Sequence, residues 1–294
     1  MTTTTKEIIY HDGRKYNIPT ETCSPFGSYP NPWNLTDTDR SKYFSPLVKC
    51  NNDASSLVVM DLTTVPARQG RPQLATEEQR EASARTPGTT FEFLPPDLAR
   101  HCAARQADTT HHFIGRYDEN RIAMYSSALF QNTDNRIQDF SGHRTLHVGM
   151  DVDGPVGTPV HAVCAGTVHA VGKNPALGDY GNVIVIKHVI PGSTNTDSND
   201  DSNNNQRTIY ALYGHLDDAV CREWKVGDAV PAGAMVGRMG ALHENGGWLT
   251  PHVHFQLCQS PPATHDLPGV VAMADRQRAL VEYPDPRYVL GPLY

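Results

Sequence analysis

The chain has 294 residues and a net charge of −7 at pH 7, room for one large domain or for a compact domain with a substantial extension. An acidic balance lacks the basic face of a nucleic-acid binder, and no apolar run reaches the ~18 residues of a membrane span. The opening Met1-Thr2-Thr3-Thr4-Thr5-Lys6 has no apolar core after a basic start, so it does not read as a secretory signal and a cytoplasmic protein is expected. Six cysteines include no C-x-x-C pair, which argues against a cysteine zinc ribbon and for reduced thiols. Cys164 and Cys258 lie inside apolar runs and read as small core residues.

Residues 1–110 are turn-rich, with breakers such as Pro25-Phe26-Gly27 and Asn31-Pro32-Trp33. Within them, polar helix formers over 76–85 predict one short exposed helix. This part reads as an irregular extension laid over a domain that occupies 111–294. The character of the chain changes near His143. β-rich segments follow at 160–171, 182–190, 208–216, 234–237 and 252–258, punctuated by Gly and Pro at short spacing. Val183-Ile184-Val185-Ile186 is wholly β-branched and predicts a well-buried strand. The pattern is that of a mainly β domain with an antiparallel sheet. Between two strands, 193–206 is almost entirely Ser, Asn, Asp and Thr. It lacks apolar area to offset its ordering entropy and reads as a disordered hairpin insertion. Near the end, residues 285–290 are expected to pack back as a C-terminal strap.

Chemistry concentrates in three fragments. In His252-Val253-His254 the two imidazoles, two apart on a strand, project to one face, while Val253, Phe255 and Leu257 line the other. His147-Val148-Gly149-Met150-Asp151 joins two residue types that ligate zinc at neutral pH. Four residues of regular strand span about 13 Å, too far for one metal, so this segment must bend, and Gly149 supplies the freedom. His215 ends the strand Leu212-Tyr213-Gly214-His215-Leu216; taken alone, such a histidine is an ordinary hydrogen-bonded residue. Glu244 is not read as a metalloprotease base, because no H-E-x-x-H helix is present. His161 and His169 fall in strand patterns as partly buried residues, and His243 lies close to the cleft in sequence.

Together these fragments resemble the LytM/lysostaphin-like zinc metallopeptidases of the M23 family. The resemblance rests on His147-Val148-Gly149-Met150-Asp151, Gly157-Thr158-Pro159-Val160, Ala165-Gly166-Thr167-Val168, Tyr180-Gly181-Asn182, Tyr213-Gly214-His215-Leu216 and Pro251-His252-Val253-His254-Phe255, in family order. It covers about 145–257. Glu244-Asn245-Gly246-Gly247-Trp248 and Asp285-Pro286 further resemble M23-like domains fused to aminotransferase-type enzymes.

The resemblance implies a LytM-like antiparallel β-sheet metallopeptidase core and one Zn²⁺ held by His147, Asp151 and His254. It further implies His215 and His252 as the catalytic, non-ligand histidines of the cleft, relaying protons and stabilising the oxyanion. Gly214 stands where the family often has alanine, a small change expected to keep the strand. Three protein ligands leave a coordination position open, the mark of a catalytic zinc site. The expected partner is a peptide or peptidoglycan-like substrate. Two other readings stay open: a non-catalytic LytM-like binding module, and a zinc-dependent amidase acting on a non-peptide amide.

Overall fold

Val183, Ile184, Val185 and Ile186 are fully buried, and they alternate between two apolar clusters. Ile184 and Ile186 join one cluster and Val183 and Val185 the other, as the two-residue period of a strand covered on both faces requires. In a computed structural model, the described residues are 5–9, 15–19, 26–49, 57–60, 62, 74–86, 94–108, 111–122, 124–125, 127–131, 137, 139–140, 142–191 and 206–294. The insertion predicted at 193–206 lies outside them except for Gln206.

The strands are β1 (Thr5–Ile9), β2 (Lys15–Pro19), β3 (Leu57–Val59), β4 (His112–Gly115), β5 (Glu119–Asn120), β6 (Leu146–His147), β7 (Met150–Asp153) and β8 (Pro159–His161). They continue with β9 (Gly166–Asn174), β10 (Gly181–Ile190), β11 (Arg207–Leu216), β12 (Ala229–Val230), β13 (Met235–Arg238), β14 (His252–Cys258) and β15 (Val270–Val271). Seven helices are described: α1 (Asp37–Tyr43), α2 (Glu77–Arg85), α3 (Pro96–Ala107), α4 (Ala128–Gln131), α5 (Ala219–Glu223), α6 (Arg276–Glu282) and α7 (Arg287–Leu290).

The main sheet has eight strands in the order β12-β9-β10-β11-β14-β7-β4-β3. Every pairing in it is antiparallel except β3 with β4. The fold is thus mainly β around a large antiparallel sheet, and β9, β10, β11, β13 and β14 coincide with the expected β-rich segments. At the far end of the β10–β11 ladder, Ile190 pairs with Arg207, whose guanidinium also donates to Pro191 O.

Described residues before 111 pack against this sheet. Trp33, Leu35, Leu47, Val48 and Val59 enter the same cluster as Ile184 and Phe255. Trp33 Nε1 donates to Thr208 O at 2.8 Å, and Arg207 pairs with Asp39 at 2.8 Å. Helix α2 begins at Thr76, whose hydroxyl accepts from Gln79 N while the Gln79 side chain accepts from Thr76 N, a reciprocal cap. Leu94, Leu98 and Cys102 cluster with Leu242 and Leu249, seating α3 on the loop before β14. The C-terminal strap includes a helical turn, α7, with Tyr288 and Val289 buried and a buried Asp285–Arg287 pair at 2.8 Å. Cys164 and Cys258 are buried free thiols. Among the described residues no helix is long and apolar enough to cross a membrane.

Candidate metal centre

Strands β7 and β14 pair in the register His254↔Asp151 and His252↔Asp153. Val253, Phe255 and Leu257 point into the core, so His252, His254 and Gln256 share the opposite face. The chain changes sheets between His147 and Met150: β6 pairs with β5 and β15 in a small sheet, whereas β7 belongs to the large one. That switch is the expected bend. Gly149 contributes by a different physical route from conformational freedom. Its φ is not positive, and a Cβ there would collide with the His254 ring.

The switch brings three buried side chains together. His147 Nε2 lies 3.0 Å from His254 Nδ1 and 3.2 Å from Asp151 Oδ1, and His254 Nδ1 lies 3.1 Å from Asp151 Oδ1. Among the described residues this is the one His/Cys/Asp/Glu group spaced to hold a metal ion. The far atom of each candidate ligand is already engaged. His147 Nδ1 donates to Arg116 O at 2.8 Å. His254 Nε2 donates to Gln256 Oε1 at 3.0 Å, and that amide is oriented by its own Nε2 donating to Pro268 O. Arg121 Nη1 donates to Asp151 Oδ2 at 2.7 Å.

In these tautomers His147 Nε2, His254 Nδ1 and Asp151 Oδ1 all present lone pairs to one another, with no donor among them. Such convergence suits a cation. Because each separation is less than twice a ~2.0–2.1 Å zinc bond, one ion can touch all three atoms. Burial followed by the Arg121 charge pushes His147 down to about 4, leaving a neutral imidazole at pH 7. Burial alone would raise the Asp151 carboxyl. The charged Arg121 guanidinium opposes it, and the group is held well below the carboxylate range. The donor set is therefore two neutral imidazoles and one carboxylate, the protonation states that zinc requires.

His215 and His252 stand beside this triangle, their ring centroids 4.4 Å apart. His215 Nδ1 donates to Asn245 O at 2.8 Å and His252 Nδ1 donates to Thr250 O at 2.8 Å, which leaves each Nε2 as an acceptor. His252 Nε2 is 4.0 Å from Asp151 Oδ1. Burial is the first cause that pushes both rings below their ordinary value. His215 holds a φ of 62°, a left-handed conformation uncommon for a non-glycine residue. The Trp248 ring packs edge-on to both imidazoles.

Several residues of the site carry no signal in the sequence. Arg121 and Arg116 precede the family motifs, and Arg121 lies 30 residues before Asp151; no spacing marks them. Glu119 holds both arginines, with contacts of 2.6 and 2.9 Å. Tyr180, in the Tyr180-Gly181-Asn182 motif, proves to be part of the site, its ring 5.3 Å from that of His254. It also explains Gly214: a Cβ at 214 would lie 2.7 Å from Tyr180 Cδ1, so alanine is not a neutral replacement here. Glu244 accepts from Asp218 N and Ala241 N and acts as a loop brace, and His243 bonds Ser83 Oγ at 2.9 Å, tying down α2.

Residues 145–264 match the model of peptidase family M23. No curated protein matches the chain. Among solved structures, a zinc-containing peptidase from Vibrio cholerae is 27% identical over 43% of this chain and 31% of its own, with a TM-score of 0.28. The catalytic domain of the prophage-encoded M23 protein EnpA from Enterococcus faecalis is 25% identical over 46% of this chain and 83% of its own, with a TM-score of 0.28. The catalytic domain of the antimicrobial peptidase lysostaphin from Staphylococcus simulans is 21% identical over 56% of this chain and 90% of its own, with a TM-score of 0.30. Across residues 145–264 the chain is thus similar to peptidase family M23, the LytM/lysostaphin-like metallopeptidases that its motifs resemble.

Proposed function

We propose that this protein is a zinc-dependent metallopeptidase that hydrolyses peptide bonds in glycine-rich or peptidoglycan-type peptides. The observation that carries the reading is the triangle of His147 Nε2, Asp151 Oδ1 and His254 Nδ1, mutually 3.0–3.2 Å apart, with the far atom of each ligand fixed by a hydrogen bond. When bound there, zinc supplies a Lewis acid that polarises a carbonyl and makes water a better nucleophile near neutral pH. The substrate class is supported by the family match.

The chain's own residues do the rest. Arg116 O and Gln256 Oε1 hold the two ligand imidazoles in the right tautomers, and Arg121 keeps Asp151 ionised and oriented. His215 and His252 enter the reaction neutral. Each Nε2 can take a proton from the attacking water, and once charged it donates to the oxyanion or to the leaving amine. The backbone carbonyls of Asn245 and Thr250 accept from the Nδ1–H groups and steady the imidazolium.

The test is hydrolysis of peptidoglycan fragments and glycine-rich peptides by the full chain, with and without a chelator. Turnover lost to chelator and restored by zinc is the expected result. Zinc-replete protein that binds these substrates but leaves them intact would point to a binding module. Hydrolysis confined to non-peptide amides would point to an amidase.

A further inference from the structure

A cleft that opens to solvent is lined by His147, Asp151 and His254 together with Tyr180, His215 and His252. One wall comes from Met124, Leu129 and Phe130, which precede the family-matched segment. Arg144 lines the same pocket and is 3% exposed. Its backbone N donates to Phe130 O at 3.0 Å, its Nη2 donates to Leu129 O, and its guanidinium lies 5.5 Å from the Phe130 ring centroid. No carboxylate among the described residues comes within ion-pair distance of it, and its Nε is buried without a partner. Trp248, another residue that lines the pocket, has a second buried donor without a partner, Nε1.

The acids that feel Arg144 are Asp179 and Asp266. Asp179 accepts from Tyr180 N at 2.8 Å and Asp266 accepts from the Asn174 amide at 2.8 Å, so neither is committed to the guanidinium. Burial pushes Arg144 below its ordinary value, the direction expected of a charge without close compensation. Buried donors are nearly always satisfied, so open ones on two residues that line one pocket point to a ligand that brings acceptors. A planar guanidinium selects a planar anion, and a carboxylate matches its fork.

We propose that Arg144, assisted by Trp248 Nε1, forms a carboxylate subsite that receives the free C-terminus of a peptide in the metal-site pocket. It rests on the peptidase reading and narrows the substrate class to chain ends. The reason for preferring the terminus is generality: every peptide end carries one carboxylate, whatever its sequence. An acidic side chain offers the same chemistry, and the test separates the two.

Calorimetry on the full chain, zinc-loaded and again after chelation, would compare three probes. They are N-acetylglycylglycine, its C-terminal amide, and N-acetylglycyl-aspartic acid 1-amide. The expected result is ~10–100-fold tighter binding of the free acid than of the amide, the range of a hydrogen bond to a charged group. Arg144→Gln should erase that preference and Arg144→Lys should keep part of it, with thermal melts checking that each variant folds. Equal binding of acid and amide by the wild type, no measurable binding of the acid, or a preference that survives in Arg144→Gln overturns the subsite. Equally tight binding of the aspartate amide overturns the assignment to the chain terminus. Binding is read with and without zinc, and hydrolysis is scored separately, so a protein that fails to cleave peptides still shows whether Arg144 binds a carboxylate.

Discussion

Arg121 Nη1 donates to Asp151 Oδ2 at 2.7 Å, and both side chains are buried. The same guanidinium reaches Glu119 Oε2 at 2.9 Å and Tyr125 Oη at 3.0 Å, so it binds the segment before β6 to Asp151 of the candidate metal centre. Arg121→Ala is expected to weaken zinc binding ~10–100-fold, the usual cost of losing a partner behind a ligand. It should also cost about 3 kcal/mol of stability by leaving buried carboxylates unpaired. Chelator competition reads the first effect and urea unfolding the second; unchanged zinc affinity would contradict the role.

One zinc per chain is expected from the single grouped donor set among the described residues. Elemental analysis of purified protein checks the stoichiometry. Full zinc content in His254→Ala would remove that residue from the ligand set.

His215→Ala and His252→Ala should keep their zinc, because neither ring is in the 3.0–3.2 Å triangle. Turnover should fall ~10²–10⁴-fold, as proton relay contributes about that much. A variant working at the wild-type rate shows that its histidine is dispensable.

His188 gives a pH dependence away from the metal centre. Burial pushes its ring down to about 4. Tyr213 Oη donates to His188 Nε2 at 3.2 Å while itself accepting from Val163 N, and His188 Nδ1 donates to Ala165 O. A second ring proton has no acceptor in that chain of bonds. Above the ordinary value of 6.5 the ring is neutral whether the chain is folded or not, and it contributes no pH dependence. Between 6.5 and about 4 only the unfolded chain takes the proton. Stability should therefore fall with pH by up to about 1.4 kcal/mol per unit from this group, and level off below the folded value. Urea unfolding across that window, compared with His188→Gln, tests it: the variant should show the shallower fall.

Replacing 193–206 by a short Asn-Gly type turn should preserve folding, zinc and turnover if the pairing Val189↔Thr208 is kept. Loop length is cheap, about 0.6 kcal/mol per doubling, whereas a one-residue slip would turn His215 to the opposite face. Thermal unfolding and turnover of the shortened chain decide; a large drop in Tm at every register tried would show that the segment carries structure.

The positions of the central strands were legible in the sequence because their signal is local. The β-branched run at 183–186 and the alternation Val253, Phe255, Leu257 against His252, His254, Gln256 reflect a two-residue period that neighbouring residues share. The candidate donors at 147, 151 and 254 were equally legible, since few side-chain types can hold a metal such as zinc at neutral pH. Tertiary structure alone decided how His147 and Asp151 meet: a change of sheet, permitted by the bare Cα of Gly149 against the His254 ring. It alone also brought Arg116, Glu119, Arg121 and Arg144 to the site. Those contacts bridge long stretches of chain through strand register and packing, and neither leaves a periodic trace in the residues that make them.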